Sequence, residues 1–105
     1  MKGSGWLTYA DFATHVGEQF VVMPNGEAAG LPMLLAEATE NTELGGRGPE
    51  GQERLQFSLV FRGPVEPALP QGTFRVSHEE LGDLELFLVP IGRDDGGVRY
   101  EAAFA

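Results

Sequence analysis

Residues 54–62 place a large apolar side chain at every second position. These apolar positions are Leu55, Phe57, Leu59 and Phe61. Because successive side chains of a strand point to opposite faces, this alternation predicts a strand with one buried face. Other extended runs occupy residues 19–23, 31–39, 73–78, 84–91 and 98–104, with turn-forming residues between them. The sequence therefore predicts a mainly β domain of about six antiparallel strands, forming a small barrel or sandwich.

One short helix is predicted ahead of the first strand, over residues 7–16. Its apolar stripe at helical spacing consists of Tyr9, Phe12, Ala13 and Val16. Thr8 is a natural N-cap, and Asp11 three residues later makes a short-armed capping box. Gly17 supplies the stop signal. We expect this helix to cover one face or end of an antiparallel β domain that spans residues 18–105.

The run at residues 84–91 differs from the others because both of its faces are apolar. Leucines at 84, 86 and 88 point one way, and Phe87, Val89 and Ile91 point the other way. Such a strand needs cover on both sides. We expect the sheet interior on one side, and the N-terminal helix or a partner chain on the other. Phe87, Val89 and Ile91 are therefore the predicted interaction face.

Two Gly-rich segments are predicted to connect strands. Residues 41–52 contain four glycines and a proline without periodicity, which predicts a long flexible loop. The acidic residues of 41–53 are typical of a solvated face, although a basic partner would also suit them. Residues 93–97 (RDDGG) carry the Asp-Gly signal of a hairpin turn. A calcium site is not expected there, because the alternating oxygen ligands of an EF-hand loop are missing.

Length and composition exclude several classes of function. A chain of 105 residues is expected to form a single domain, residues 1–105. Its net charge of −9, with Lys2 as the one lysine and arginines scattered singly, argues against nucleic-acid binding. The chain has no cysteine, which removes disulfides and thiolate metal sites. No segment is apolar enough for a signal peptide or a membrane span, so a soluble cytoplasmic protein is expected.

The two histidines are the candidate bases near neutral pH. His15 is expected at the end of the helix, where an imidazole complements the macrodipole. His78 lies in the run Ser77-His78-Glu79-Glu80, which resembles a nucleophile with a base and its orienting group. Neighbouring residues of a strand point in different directions, so a strand-ending turn is the better interpretation. No catalytic residue, cofactor or metal ligand is predicted, and His78→Ala is expected to leave stability nearly unchanged.

Three longer stretches resemble a known family of small bacterial proteins. They are residues 57–64 (FSLVFRGP), 69–78 (LPQGTFRVSH) and 81–92 (LGDLELFLVPIG). These segments, together with residues 12–20 and 100–104, are similar to the DUF6916 family of uncharacterised proteins. The resemblance implies a compact β-rich domain of bacterial origin, with an association to phage-tail-like or surface-fibre proteins. It brings no catalytic residues, and it is weakest over residues 40–53.

Three functions follow as hypotheses. The first is a non-enzymatic interaction or assembly module, in which a strand edge or the second face of residues 84–91 contacts a protein partner or another copy. The second is binding of a small apolar ligand inside the β domain by Phe57, Phe61, Phe74 and Leu86. The third is a hydrolase-type enzyme centred on His78. The missing catalytic constellation favours the first.

Overall fold

Six antiparallel strands close into one barrel, and a short helix precedes them. The computed structural model of the protein describes residues 7–23, 30–47, 53–66 and 68–104. The elements are α1 (Tyr9–Ala13), β1 (Gln19–Met23), β2 (Leu31–Arg47), β3 (Glu53–Gly63), β4 (Gly72–His78), β5 (Gly82–Asp94) and β6 (Gly97–Phe104). The strand order around the ring is β1-β2-β3-β6-β5-β4. The predicted fold class is confirmed, and it is a barrel rather than a sandwich.

Pairing of β1 with β4 closes the ring, with Val21 opposite Ser77 and Val22 opposite Val76. We call this pairing the β1–β4 seam. The inward positions of all six strands meet in one core, which includes Phe20, Val22, Met33, Leu35, Phe57, Leu59, Phe61, Phe74, Val76, Leu84, Leu86, Leu88, Val98, Tyr100 and Ala102. The alternation read from residues 54–62 is therefore the inward and outward alternation of β3.

The helix is shorter than predicted. We expected residues 7–16, but α1 ends at Ala13, with Thr14 as its C-cap and a turn that reaches Gly17. The helix also begins later, at Tyr9, but the predicted N-cap is correct, since the Thr8 amide donates to Asp11 Oδ2 at 2.8 Å. Gly17 has a φ of +94°, as a stop glycine requires. Within the described ranges, no helix has the length and apolar character needed to cross a membrane.

α1 packs on β2 and β3 through Phe12, whose side chain is completely buried. The Phe12 ring lies 5.9 Å from that of Phe57 and 5.7 Å from that of Phe104, measured between centroids. Phe57 and Phe104 stack on each other, with their centroids 4.4 Å apart. This aromatic contact fixes α1 against the end of the barrel where β6 finishes.

The predicted loop over residues 41–52 is wrong in its first half. β2 runs on to Arg47, and its pairing with β3 includes Leu44 opposite Leu55 and Arg47 opposite Glu53. Register shifts before and after Leu44 show that this extension is irregular. Glycine weakens a strand by its conformational entropy, but pairing with β3 overrides that preference here. Residues 48–52 of the predicted loop lie outside the described residues.

The β5–β6 hairpin turns at the predicted Asp-Gly signal, between Asp94 and Gly97. The Asp94 carboxylate accepts hydrogen bonds from the Arg62 guanidinium at 2.6 Å and from the Gly96 amide at 2.8 Å. Arg62 also donates to the Gly96 carbonyl oxygen at 3.2 Å. The turn is thus bonded to β3, and the Asp94 carboxylate stabilises it.

Candidate functional site

The outer face of β5 carries exposed apolar side chains. Phe87 is 51% exposed and Ile91 is 45% exposed, with half-buried Val89 between them. We call these three residues the β5 stripe. The leucines at 84, 86 and 88 point into the core, as the two-faced pattern predicts. Since α1 packs on β2 and β3, the helix does not provide the cover that this second face was expected to need.

Charged residues of opposite sign lie at the two ends of the β5 stripe. Exposed Asp83 and Glu85 precede Phe87 on the same face of β5. At the other end, the Arg99 guanidinium of β6 lies over Gly92, because a Cβ built on Gly92 would be 3.5 Å from it. Two acids of β5 therefore lie at one end of the stripe, where Arg75 of β4 is beside Glu85, and Arg99 of β6 lies at the other end.

His78 is buried at the end of β4, with only 3% of its side chain exposed. Its Nδ1 accepts hydrogen bonds from the Glu80 amide at 3.0 Å and the Leu81 amide at 3.2 Å. Two donors at Nδ1 leave the ring proton on Nε2, which donates to Glu18 Oε1 at 2.8 Å. The predicted strand-ending turn is correct, but His78 is an internal hydrogen-bonding residue of that turn.

Glu18, just before β1, joins both histidines. Its Oε1 accepts from His15 Nδ1 and from His78 Nε2, each at 2.8 Å. The two imidazole rings lie 4.5 Å apart, and Glu80 Oε1 is 3.5 Å from His15 Nδ1. Hydrogen bonds from His78 and then from His15 lower the pKa of the Glu18 carboxyl below its ordinary value. We call His15, Glu18 and His78 the His–Glu–His cluster.

The expected position of His15 late in the helix is wrong. α1 ends two residues earlier, so His15 lies in the turn that follows, where it bonds Glu18 instead of terminal carbonyl groups. Its backbone still organises this turn, since its amide donates to the Phe12 carbonyl and its carbonyl accepts from the Glu18 amide. The histidine therefore positions a carboxylate rather than complementing a helix dipole.

The His–Glu–His cluster has the residue types of a metal site, with its three ligand atoms within 4.8 Å of one another. Binding through His78 Nε2 would require the ring proton to move to Nδ1. That nitrogen already faces two backbone N–H donors, so the needed tautomer is disfavoured. The two 2.8 Å separations are hydrogen bonds, shorter than the roughly 3.3 Å between ligands of tetrahedral zinc. The cluster does not fit a metal ion as it stands.

The family model for DUF6916, a domain of unknown function, matches residues 7–104. The chain belongs to this family. No curated protein and no solved structure matches the chain. The match runs from two residues before α1 to the end of β6, so the β5 stripe and the His–Glu–His cluster both lie inside the DUF6916 domain.

Catalysis by the DUF6916 domain through residues 77–80 has no geometric support in the described residues. Ser77 lies on the outward side of β4, between Val21 and Asp83, whereas the His78 side chain is buried. No hydrogen bond joins the Ser77 hydroxyl to His78 in this part of the chain. The carboxylate that does bond His78 is Glu18, whose lowered pKa makes it a weak proton acceptor.

Local sequence patterns indicate only part of these two sites. The β5 stripe follows directly from period-two alternation on both faces. Of the His–Glu–His cluster, the spacing of three between His15 and Glu18 is a local hint. The contact between Glu18 and His78 spans 60 residues and depends on how β1 and β4 pair, which no local pattern of the DUF6916 chain encodes.

Proposed function

We propose that this DUF6916 domain is a non-enzymatic assembly module that binds a second copy of itself through the β5 stripe. The observation that carries the proposal is Phe87, which is half exposed in the middle of β5, where that strand pairs in regular register with β4. A large aromatic side chain in water costs free energy that association recovers, by about 1 to 2 kcal/mol for a half-exposed ring.

Contact through the face of β5, rather than through its edge, follows from the closed ring. β5 is hydrogen-bonded to β4 on one side and to β6 on the other, so its backbone groups are already paired. The same holds for β6, which lies between β3 and β5. Strand addition, the other route suggested by the sequence, is thus unavailable along this side of the barrel.

A second copy is the occupant that suits the charges of this surface. Acids lie at one end of the β5 stripe and Arg99 at the other, so the surface carries both signs that it would need to pair with itself. The net charge of −9 opposes self-association through long-range repulsion. We therefore expect a weak dimer that forms more readily when salt screens this repulsion.

Packing inside the barrel argues against the alternative of an internal apolar ligand. Phe57 and Phe61, two of the four positions proposed to line such a pocket, are 1% and 0% exposed. The Phe61 ring meets Phe20 edge to face, with 5.3 Å between centroids. Phe57 contacts Phe12 and Phe104. Side chains that fill the core in this way have neighbours where a ligand would have to lie.

Light scattering coupled to size exclusion tests the proposal, over a range of roughly 1 μM to 1 mM that suits a small interface. We expect a mass that rises toward the dimer with concentration. Phe87→Ser should abolish this rise. Leu34→Ser is the matched control, because Leu34 is 42% exposed on β2, which lies opposite β5 in the ring. A monomer at every concentration, or equal behaviour of the two variants, would overturn the proposal.

A further inference from the structure

We infer that two copies meet with their β5 strands antiparallel, so that Glu85 of each copy pairs with Arg99 of the other. The inference rests on the proposed function and specifies the arrangement of its dimer. It is carried by the order of residues on the outer face of β5 and by the position of Arg99 over Gly92.

Distances along the strand set the alignment. At about 3.3 Å per residue, Glu85 lies roughly 7 Å before Phe87. A register shift between Pro90 and Gly92 places Val89 and Gly92 opposite Glu101 and Arg99, which are two residues apart on β6, so the level of Gly92 lies roughly 7 Å beyond Val89. The two-fold axis lies between the two facing sheets, perpendicular to β5 and midway between Phe87 and Val89. It therefore places Phe87 of one copy against Val89 of the other. The same axis brings Glu85 to the level of Ile91 and Gly92 in the second copy, within reach of the extended Arg99 side chain.

Among the described side chains, no ion pair involves Glu85 or Arg99, whereas Arg62 at the same end is occupied by Asp94. Arg75 lies beside Glu85 in the β4–β5 register without bonding it in this part of the structure. In the proposed dimer, Arg75 faces the segment that precedes β4 in the other copy. Residues 68–71 of that segment carry no charge.

The opposite orientation is less favourable. If the two β5 strands ran parallel, Glu85 would face Glu85 and Asp83 would face Asp83. Like charges directly opposite each other destabilise a pair of sheets, and the net charge of −9 adds to the cost. In the antiparallel arrangement, Glu101 of each copy approaches Glu101 and Glu85 of the other. Glu101 is level with Val89, so the axis offsets the two Glu101 carboxylates by about 7 Å along the strands, near the roughly 8 Å screening length at physiological salt.

Charge reversal tests the arrangement in about 0.15 M salt. Glu85→Arg places two arginines together, and Arg99→Glu places two glutamates together. Because a two-fold interface contains each change twice, we expect each variant to weaken the dimer about tenfold or more. The double variant restores opposite charges and should return the dissociation constant to within about threefold of the parent value. Glu37→Arg, on the opposite strand β2, is the control that makes the same change in net charge.

Glu85→Arg is especially informative, because it reduces the net negative charge and would strengthen any non-specific association. Weakening by Glu85→Arg and by Arg99→Glu, with recovery in the double variant, supports the inference. A dimer that Phe87→Ser dissolves, but that the double variant fails to restore, overturns the antiparallel arrangement and leaves the assembly function standing. A chain that stays monomeric throughout overturns both.

Discussion

Glu18 Oε1 and His78 Nε2 lie 2.8 Å apart, although 60 residues separate the two positions in the chain. The contact sits at one end of the β1–β4 seam, just before β1 begins and where β4 ends. It adds a side-chain hydrogen bond to the backbone pairing that closes the barrel. Because the backbone of Glu18 also accepts from the Leu35 amide, this one residue ties the seam to β2.

We predict that His78→Ala destabilises the domain by about 2 to 4 kcal/mol, through a cavity and two backbone N–H groups left without an acceptor. This reverses the expectation from sequence, which placed His78 in an undemanding turn. His78→Asn retains an acceptor near Nδ1, and His78→Gln retains a donor near Nε2, so both should lose less stability than alanine. Chemical denaturation measures the differences, with Ser77→Ala as the outward-facing control. Equal stability of His78→Ala and the parent would contradict the buried network.

A second prediction concerns the stability of the domain at acid pH. The hydrogen bonds from His78 and His15 place the folded-state pKa of Glu18 below its ordinary value of 4.5. A carboxyl whose pKa is lower in the folded than in the unfolded state stabilises the fold above the unfolded value, and loses that contribution as pH falls through the folded value. Unfolding free energy should therefore decrease below about pH 4.5. Glu18→Gln keeps an oxygen acceptor but does not titrate, so its decrease should be shallower.

Glu79→Gln is the matched control for that acid titration. It removes the same charge from an exposed position in the turn next to the His–Glu–His cluster. If the pH profiles of Glu18→Gln and Glu79→Gln coincide, the hydrogen bonds at Glu18 do not contribute to acid stability.

A third prediction follows from the tautomer of His78. With its Nδ1 engaged by two amides, we expect Zn²⁺ alone, at about tenfold excess, to leave the Tm unchanged within a degree. His15→Ala should respond to the metal in the same way as the parent chain. An increase in Tm that His15→Ala abolishes would show that the cluster rearranges to bind zinc.

Local patterns in the sequence predicted most of the barrel because its strands obey period two. This alternation predicts the inward positions Phe57, Leu59 and Phe61 of β3, and it also predicts the exposed β5 stripe. The second half of β2 could not be predicted in this way, because its Gly-rich residues form a strand only through pairing with β3. The contact of Glu18 with His78 in the His–Glu–His cluster could not be predicted either, since the pairing of β1 with β4 brings these two residues together. Local preference decides the first kind of feature, and long-range pairing decides the second.

The last prediction compares two glycines with positive φ. Gly97 starts β6 at a φ of +143°, and a Cβ built on it would collide with the Gly63 carbonyl oxygen of β3. Gly17 has a φ of +94°, but a Cβ there meets no atom within 4 Å. Gly17→Ala should therefore cost only backbone strain, about 1 to 2 kcal/mol. Gly97→Ala adds a backbone collision to that strain and should cost about 3 to 5 kcal/mol.

Thermal unfolding of the two glycine variants measures this difference directly. The Gly63 carbonyl belongs to the β3–β6 pairing, which the collision would force apart at the end next to the Asp94–Gly97 turn. Gly97→Ala should thus also accelerate amide exchange at Val98 and Arg99, while Gly17→Ala leaves those amides protected. Equal losses of stability in the two variants would mean that the hairpin moves aside, and that backbone strain alone decides both positions.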